Sequence, residues 1–97
     1  MAKGYWIAHV TVTETEAYAT YRSMNGVAFA KYGGRFLVRG GASEAVNGAL
    51  RERHVVIEFP SYQAAQDCYR SPEYQAALAV FKTAALSDHV IVEGYDT

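Results

Sequence analysis

The sequence predicts an α+β domain of element order βαββαβ, with four strands in one antiparallel sheet of order 4-1-3-2 and the helices on one face. Three observations carry this. Tyr5–Val12, Arg35–Arg39, His54–Phe59 and His89–Glu93 alternate with a period of two, as half-buried strands do. Around them lie stretches whose apolar residues recur at helical spacing. Asn47-Gly48, between the second and third strands, is the best short signal for a two-residue hairpin turn.

After the first strand, Thr13 with Glu16 resembles a capping box, and the first helix follows with Ala17, Tyr21, Met24, Ala28 and Tyr32 on one stripe. Asn25-Gly26 is a point where that helix could bend, because glycine costs roughly 1 kcal/mol in a helix interior. Gly33-Gly34 stops it, since glycine accepts the left-handed conformation at a helix end. Placing Val46 opposite Ala49 in the hairpin pairs Glu44 with Arg51, Arg39 with Val56, Val38 with Ile57 and Phe36 with Phe59. Gly40-Gly41 is the expected site of a bulge. Pro60-Ser61 ends the third strand, with Ser61 a helix cap before Ala65, Cys68 and Tyr69. Ser71-Pro72-Glu73 restarts a helix whose inward stripe is Tyr74, Ala77, Leu78, Phe81 and Ala85.

The period of two also assigns faces. Trp6, Ala8, Val10, Val12, Phe36, Val38, Val55, Ile57, Phe59, Val90 and Val92 form an apolar set expected beneath the helices. The opposite parity holds all three histidines, His9, His54 and His89, together with Arg39, Tyr5, Arg35, Glu58 and Glu93. On that open face Ile7, Leu37, Val56 and Ile91 are expected to form an apolar row. An uncovered row of this kind marks an interface, and a second copy of the chain is the simplest cover. The expectation is a homodimer with two sheets face to face.

Ninety-seven residues form one expected domain over positions 1–97, with 51% hydrophobic and 20% charged residues, a globular composition. The net charge is −1 and there is no lysine or arginine run, which argues against nucleic acid or an anionic membrane as partner. No apolar run reaches the ~20 residues of a membrane helix, and Met1–Gly4 lacks the apolar stretch of a secretory signal. One cysteine excludes an internal disulfide and fits a reducing compartment, so a cytoplasmic location is expected. Eight tyrosines suit pocket walls and interfaces, where one end of the ring stays wet.

Antiparallel pairing brings His9, His54, His89 and Arg39 to one end of the open face, and Tyr5, Arg35, Glu58 and Glu93 to the other. The basic end suits a small anion or enolate, with Arg39 as fixed charge and a histidine moving protons near neutral pH. The alternative is a polar rim around a dimer interface, satisfied by water and by neighbouring side chains. Arg35 with Glu58 reads as a structural ion pair, with Glu58 also a candidate ligand contact. No metal is expected, because the histidines come from three strands without a close-spaced ligand pair. Cys68 fits a small core residue better than a nucleophile. Tyr74, just inside a helix start, is a candidate pocket wall.

Several segments together resemble one family. They are Gly4-Tyr5-Trp6-Ile7, the run from Phe29 to Gly41 (FAKYGGRFLVRGG), Glu58-Phe59-Pro60-Ser61, Tyr69 with Ser71-Pro72-Glu73-Tyr74-Gln75, and Val90-Ile91-Val92-Glu93-Gly94. They cover nearly the whole chain and resemble the domain of unknown function 1330 family. Where that family's first helix often opens with aspartate-proline, this chain has Glu14-Thr15. The resemblance implies a ferredoxin-like fold in the dimeric α/β-barrel superfamily, whose members include cofactor-free monooxygenases, lactone isomerases and haem-dependent enzymes. It supplies no activity, and none of those catalytic motifs maps onto these residues. Two readings follow. One is a small cofactor-free enzyme acting on an anionic or enolisable metabolite, with His9, Arg39 and His54 catalytic and Tyr74, His89 and Glu58 binding ligand. The other is a non-catalytic homodimer that binds a small ligand or serves as an interaction module.

Overall fold

Trp6 and Val10 begin the core, because the even positions of the first strand turn inward and meet the helices. A computed structural model describes residues 2–96. Its elements are β1 (Gly4–Val12), α1 (Thr15–Tyr32), β2 (Arg35–Arg39), β3 (Arg53–Phe59), α2 (Tyr62–Arg70), α3 (Pro72–Ala84) and β4 (Ala85–Glu93). The strands form one antiparallel sheet of order β2-β3-β1-β4, the predicted topology.

Local chemistry explains most boundaries. Gly33 ends α1 in the left-handed region at φ 75°, as predicted. Ser61 accepts a hydrogen bond from the Ala64 amide, and Ser71 from the Tyr74 amide, so both serines cap the helices that follow them. Thr13 does not cap α1; Glu14 is the cap residue and makes no side-chain cap bond. The Thr13 and Glu14 amides bond instead to the Ala84 carbonyl, which serves as their acceptor. Gly26 leaves α1 unbroken, because Asn25, Ala28 and Phe29 anchor both sides of it in the core.

The core is aromatic. The Trp6 indole meets Phe29 at 5.2 Å, Phe59 at 5.3 Å and Tyr74 at 4.7 Å between ring centres, two of them edge-on. Its N–H donates to the Ala65 carbonyl at 2.8 Å, which fixes α2 over β1.

Register is where sequence and structure part. β1 and β3 pair as predicted in parity, with Trp6 opposite Ile57 and His9 opposite His54. The two-residue hairpin at Asn47-Gly48 does not form; residues 40–52 are an irregular connection. Gly40 turns the chain away from β2 at φ 69°, with its amide on the His54 carbonyl. The segment beyond is largely exposed, Val46 85% so, and ties back to the sheet near its end, where Arg51 Nε donates to Asp88 at 3.0 Å. Phe36 pairs with Ile57, not Phe59. The bulge falls between Phe36 and Val38 instead of at Gly40-Gly41, so Val38 pairs with Val56 and Arg39 with Val55. That one-residue slip exchanges faces: Val38 goes to the open face and Arg39 to the helix side.

β4 is inverted as well. It emerges directly from α3, with Ala85 opposite Val12, and reaches Ala8 with His89 and Trp6 with Ile91. His89 and Ile91 therefore lie on the helix side, while Val90 and Val92 lie on the open face, 51% and 40% exposed. Period-two reading failed there because the more apolar parity, with Val90 and Val92, is the outer one, while the inner parity carries Ser87 and His89.

Candidate functional site

α1 presents Tyr18, Tyr21, Arg22, Asn25 and Phe29 along one flank, residues three and four apart that share a helix face. Opposite them, β3 places Arg53, Val55 and Ile57 on its inner parity, and the bulge in β2 adds Arg39 beside Phe36. Tyr74 and Phe81 of α3, with Ser87 and His89 of β4, close the far side. The result is a narrow cleft between helices and sheet, with a cavity volume of about 40 Å³.

Arg22, Arg39 and Arg53 line this cleft, and among the described residues no aspartate or glutamate does. The Arg39 guanidinium lies over the Phe36 ring, 4.2 Å from its centre. Arg53 Nε donates to Tyr18 Oη at 2.9 Å. Gly40, at φ 69°, makes the turn that follows β2, and the Arg53 guanidinium lies against it. Among the described residues none of the three arginines has a carboxylate in ion-pair range. Unneutralised guanidinium groups beside low-dielectric aromatic walls attract an organic anion.

The hydroxyl, amide and imidazole groups along the cleft are held in defined states. Tyr21 and Tyr74 bond through their hydroxyls at 2.9 Å, and burial pushes both phenols above their usual pKa, so they stay protonated. One hydroxyl donates to the other, which leaves the pair one O–H to offer. Asn25 is 4% exposed, and its Oδ1 has no hydrogen-bond partner among the described residues. The His89 ring stands edge-on to Trp6 and Tyr69, at 4.9 and 5.6 Å, and reaches the cleft with part of its surface open. Loss of hydration to these neighbours lowers its pKa to about 4, which keeps the imidazole neutral near pH 7.

The residues singled out from sequence are thus divided among three places. Arg39, Tyr74 and His89 meet in the cleft. His9 and His54 meet on the open face, Nδ1 to Nδ1 at 2.8 Å, so one ring donates and the other accepts. Neither Arg39 nor His89 joins them there, because the β2 bulge and the β4 parity turn both inward. Glu58 lies at the opposite end of that face, accepting from Arg35 Nε at 3.1 Å and from Tyr5 Oη at 3.3 Å. The Arg35 contact holds its carboxyl below the usual carboxylate range. Cys68 is fully buried, and burial pushes its thiol up to about 12, far from a nucleophile's state. Among the described residues no three histidine, cysteine or carboxylate side chains gather as a metal site. No helix among the described residues is long and apolar enough to cross a membrane.

Sequence reasoning missed Arg22, Asn25 and Arg53 as site residues. Arg53 is detectable in the sequence, since it continues the inner parity of Val55 and Ile57 one step before the predicted start of the strand. Asn25 lies four residues after Tyr21 on the buried stripe of α1, a polar residue on a core-facing line.

Solved structures share this fold. A protein of unknown function from Rhodopseudomonas palustris is 21% identical, with a TM-score of 0.79 over 99% of this chain and 85% of its own. SnoaB, a cofactor-independent oxygenase from Streptomyces nogalater, is 13% identical with a TM-score of 0.65, over 100% of this chain and 97% of its own. A dimeric ferredoxin-like protein of unknown function from Thermobifida fusca is 17% identical with a TM-score of 0.55, over 95% of this chain and 89% of its own. No curated protein matches the chain. A family model, the domain of unknown function DUF1330, matches residues 3–95, and the chain belongs to that family.

Proposed function

We propose that residues 1–97 form one domain acting as a cofactor-free enzyme on a small organic anion with an enolisable C–H bond. The observation that carries this reading is the convergence of three arginines and a neutral imidazole on one aromatic-walled cleft without a carboxylate. In this reading Arg39 and Arg53 hold the anionic group, and the aromatic walls hold the body of the substrate flat. The neutral His89 ring accepts a proton from carbon and becomes imidazolium. The enolate left behind is stabilised by the guanidinium charges and by the spare O–H of the Tyr21–Tyr74 pair. A bound anion also favours the imidazolium, so substrate raises the pKa of its own base. That SnoaB, of the same fold, is a cofactor-independent oxygenase supports a catalytic use of such a cleft.

Of the residues expected at the site, Arg39, Tyr74 and His89 keep roles here. His9 and His54 are assigned instead to the open sheet face, where Ile7, Val38, Val56, Val90 and Val92 leave an apolar surface for a second copy of the chain. A homodimer through that face is supported by its apolar character and by the dimeric neighbour of the same fold. A cytoplasmic location is supported by a single, free cysteine.

A second reading has an observation of its own. A pKa of about 4 makes His89 a weak base, which favours a binding module without catalysis. Deuterium exchange decides between them. Phenylpyruvate in D2O, followed by proton NMR, should lose its methylene protons at least about a hundredfold faster with protein than in buffer, a modest contribution for a general base. His89→Ala should abolish the acceleration and leave phenylpyruvate bound. Binding without acceleration establishes the non-catalytic module; neither binding nor acceleration removes both.

A further inference from the structure

We infer that the cleft does not end at His89 but continues into the groove between α3 and β4, so that its ligand is a carboxylate carrying an extended apolar tail. This rests on the anion-binding reading of the cleft. Four residues, Tyr74, Phe81, Ser87 and His89, line both the cleft and a groove of about 450 Å³. The same four residues bound both spaces, so the imidazole stands where the cleft and the groove adjoin. That position explains why His89 keeps solvent-exposed surface while crowded by the Trp6 and Tyr69 rings.

The sequence shows why the passage is open. On the helix side of β4 the positions before His89 are Ser87 and Ala85, side chains too small to fill the space under α3. From Ala85 to His89 the strand covers about 13 Å at ~3.3 Å per residue. α3 faces that stretch with Leu78 and Phe81, and Lys82 stands at the rim. The two ends differ in chemistry. Arginines line only the cleft end, where Val10, Val55 and Ile57 also stand, and the groove end adds Leu78 and Leu86 with one cation, Lys82. A ligand complementary to both has its charge at one end and hydrocarbon at the other. The groove is open along one side, so a tail lying in it loses part of its hydration and stays reachable by solvent.

Calorimetry with a homologous series tests this: benzoate, then hexanoate, octanoate and decanoate below their micelle concentrations. Full burial of a methylene tightens binding about fourfold, and a half-open groove should give about twofold per methylene from hexanoate to decanoate. Proton–carbon NMR should show decanoate, and not benzoate, shifting Leu78, Lys82 and Leu86. Benzoate binding with affinity flat along the series, or with no decanoate effect on those three residues, overturns the passage and leaves the anion cleft standing. Failure of benzoate and decanoate alike overturns the cleft reading and the passage with it.

Discussion

The His89 imidazole stands edge-on to the Trp6 indole, 4.9 Å between ring centres, on the helix side of the sheet and not on its open face. This contact sets the protonation state of the cleft. Burial lowers the His89 pKa from 6.5 to about 4, so between those values the unfolded chain binds the proton that the folded chain refuses. The stabilisation is complete above about pH 6.5 and is lost as pH falls towards 4. Denaturation midpoints should fall across that window and fall less in His89→Phe, which has no ring nitrogen to titrate. An equal slope in both proteins would contradict the assignment.

The inverted parity of β4 separates two neighbouring residues by consequence. Val90→Asp on the open face should leave the fold intact and split the proposed dimer in light scattering, because it sets a charge in the apolar surface. Ile91→Asp, packed against the core, should instead destabilise the fold by about 2–4 kcal/mol. The reverse pattern would restore the parity read from sequence.

Tyr21→Phe removes one partner of a buried hydroxyl pair and leaves Tyr74 Oη without its bond. The expected cost is about 1–3 kcal/mol in chemical denaturation. A cost near zero would mean that the Tyr74 hydroxyl is satisfied elsewhere.

Cys68, fully buried with its thiol raised to about 12, should react with a thiol reagent such as dithionitrobenzoate only as fast as the chain unfolds. Rapid labelling of the native protein would show an opening of α2 that the fold does not contain.

Topology was legible because the signals behind it are strong: clean alternation in β1 and β3, Gly33 at the end of α1, and Ser61 and Ser71 as caps. The resemblance drawn from Gly4–Ile7, the Phe29–Gly41 run and the Ser71–Gln75 segment is borne out by the family model over residues 3–95. The site was less legible because it depends on two shifts of one residue. The bulge after Phe36 turns Arg39 inward, and the direct passage from Ala84 to Ala85 sets the parity of His89. Neither leaves a mark in local hydrophobicity. Val90 and Val92 look like core residues, and are exposed. Asn47-Gly48 carries a turn signal, yet the strands it would join stop short of it, since Gly40 has already turned the chain away. His9 and His54 were read as neighbours and are, at 2.8 Å, because β1 and β3 pair without a slip.

The proposed anion site is the arginine-lined cleft with His89 on its wall. Proton–carbon NMR of the three histidine rings during a benzoate titration tests it most directly. Benzoate should shift His89, raise its pKa, and leave His9 and His54 unmoved. Arg39→Ala should weaken that binding by about tenfold to a hundredfold, the share of one charge-assisted hydrogen bond. Shifts at His9 and His54 with His89 silent would put the anion on the open sheet face and contradict the account.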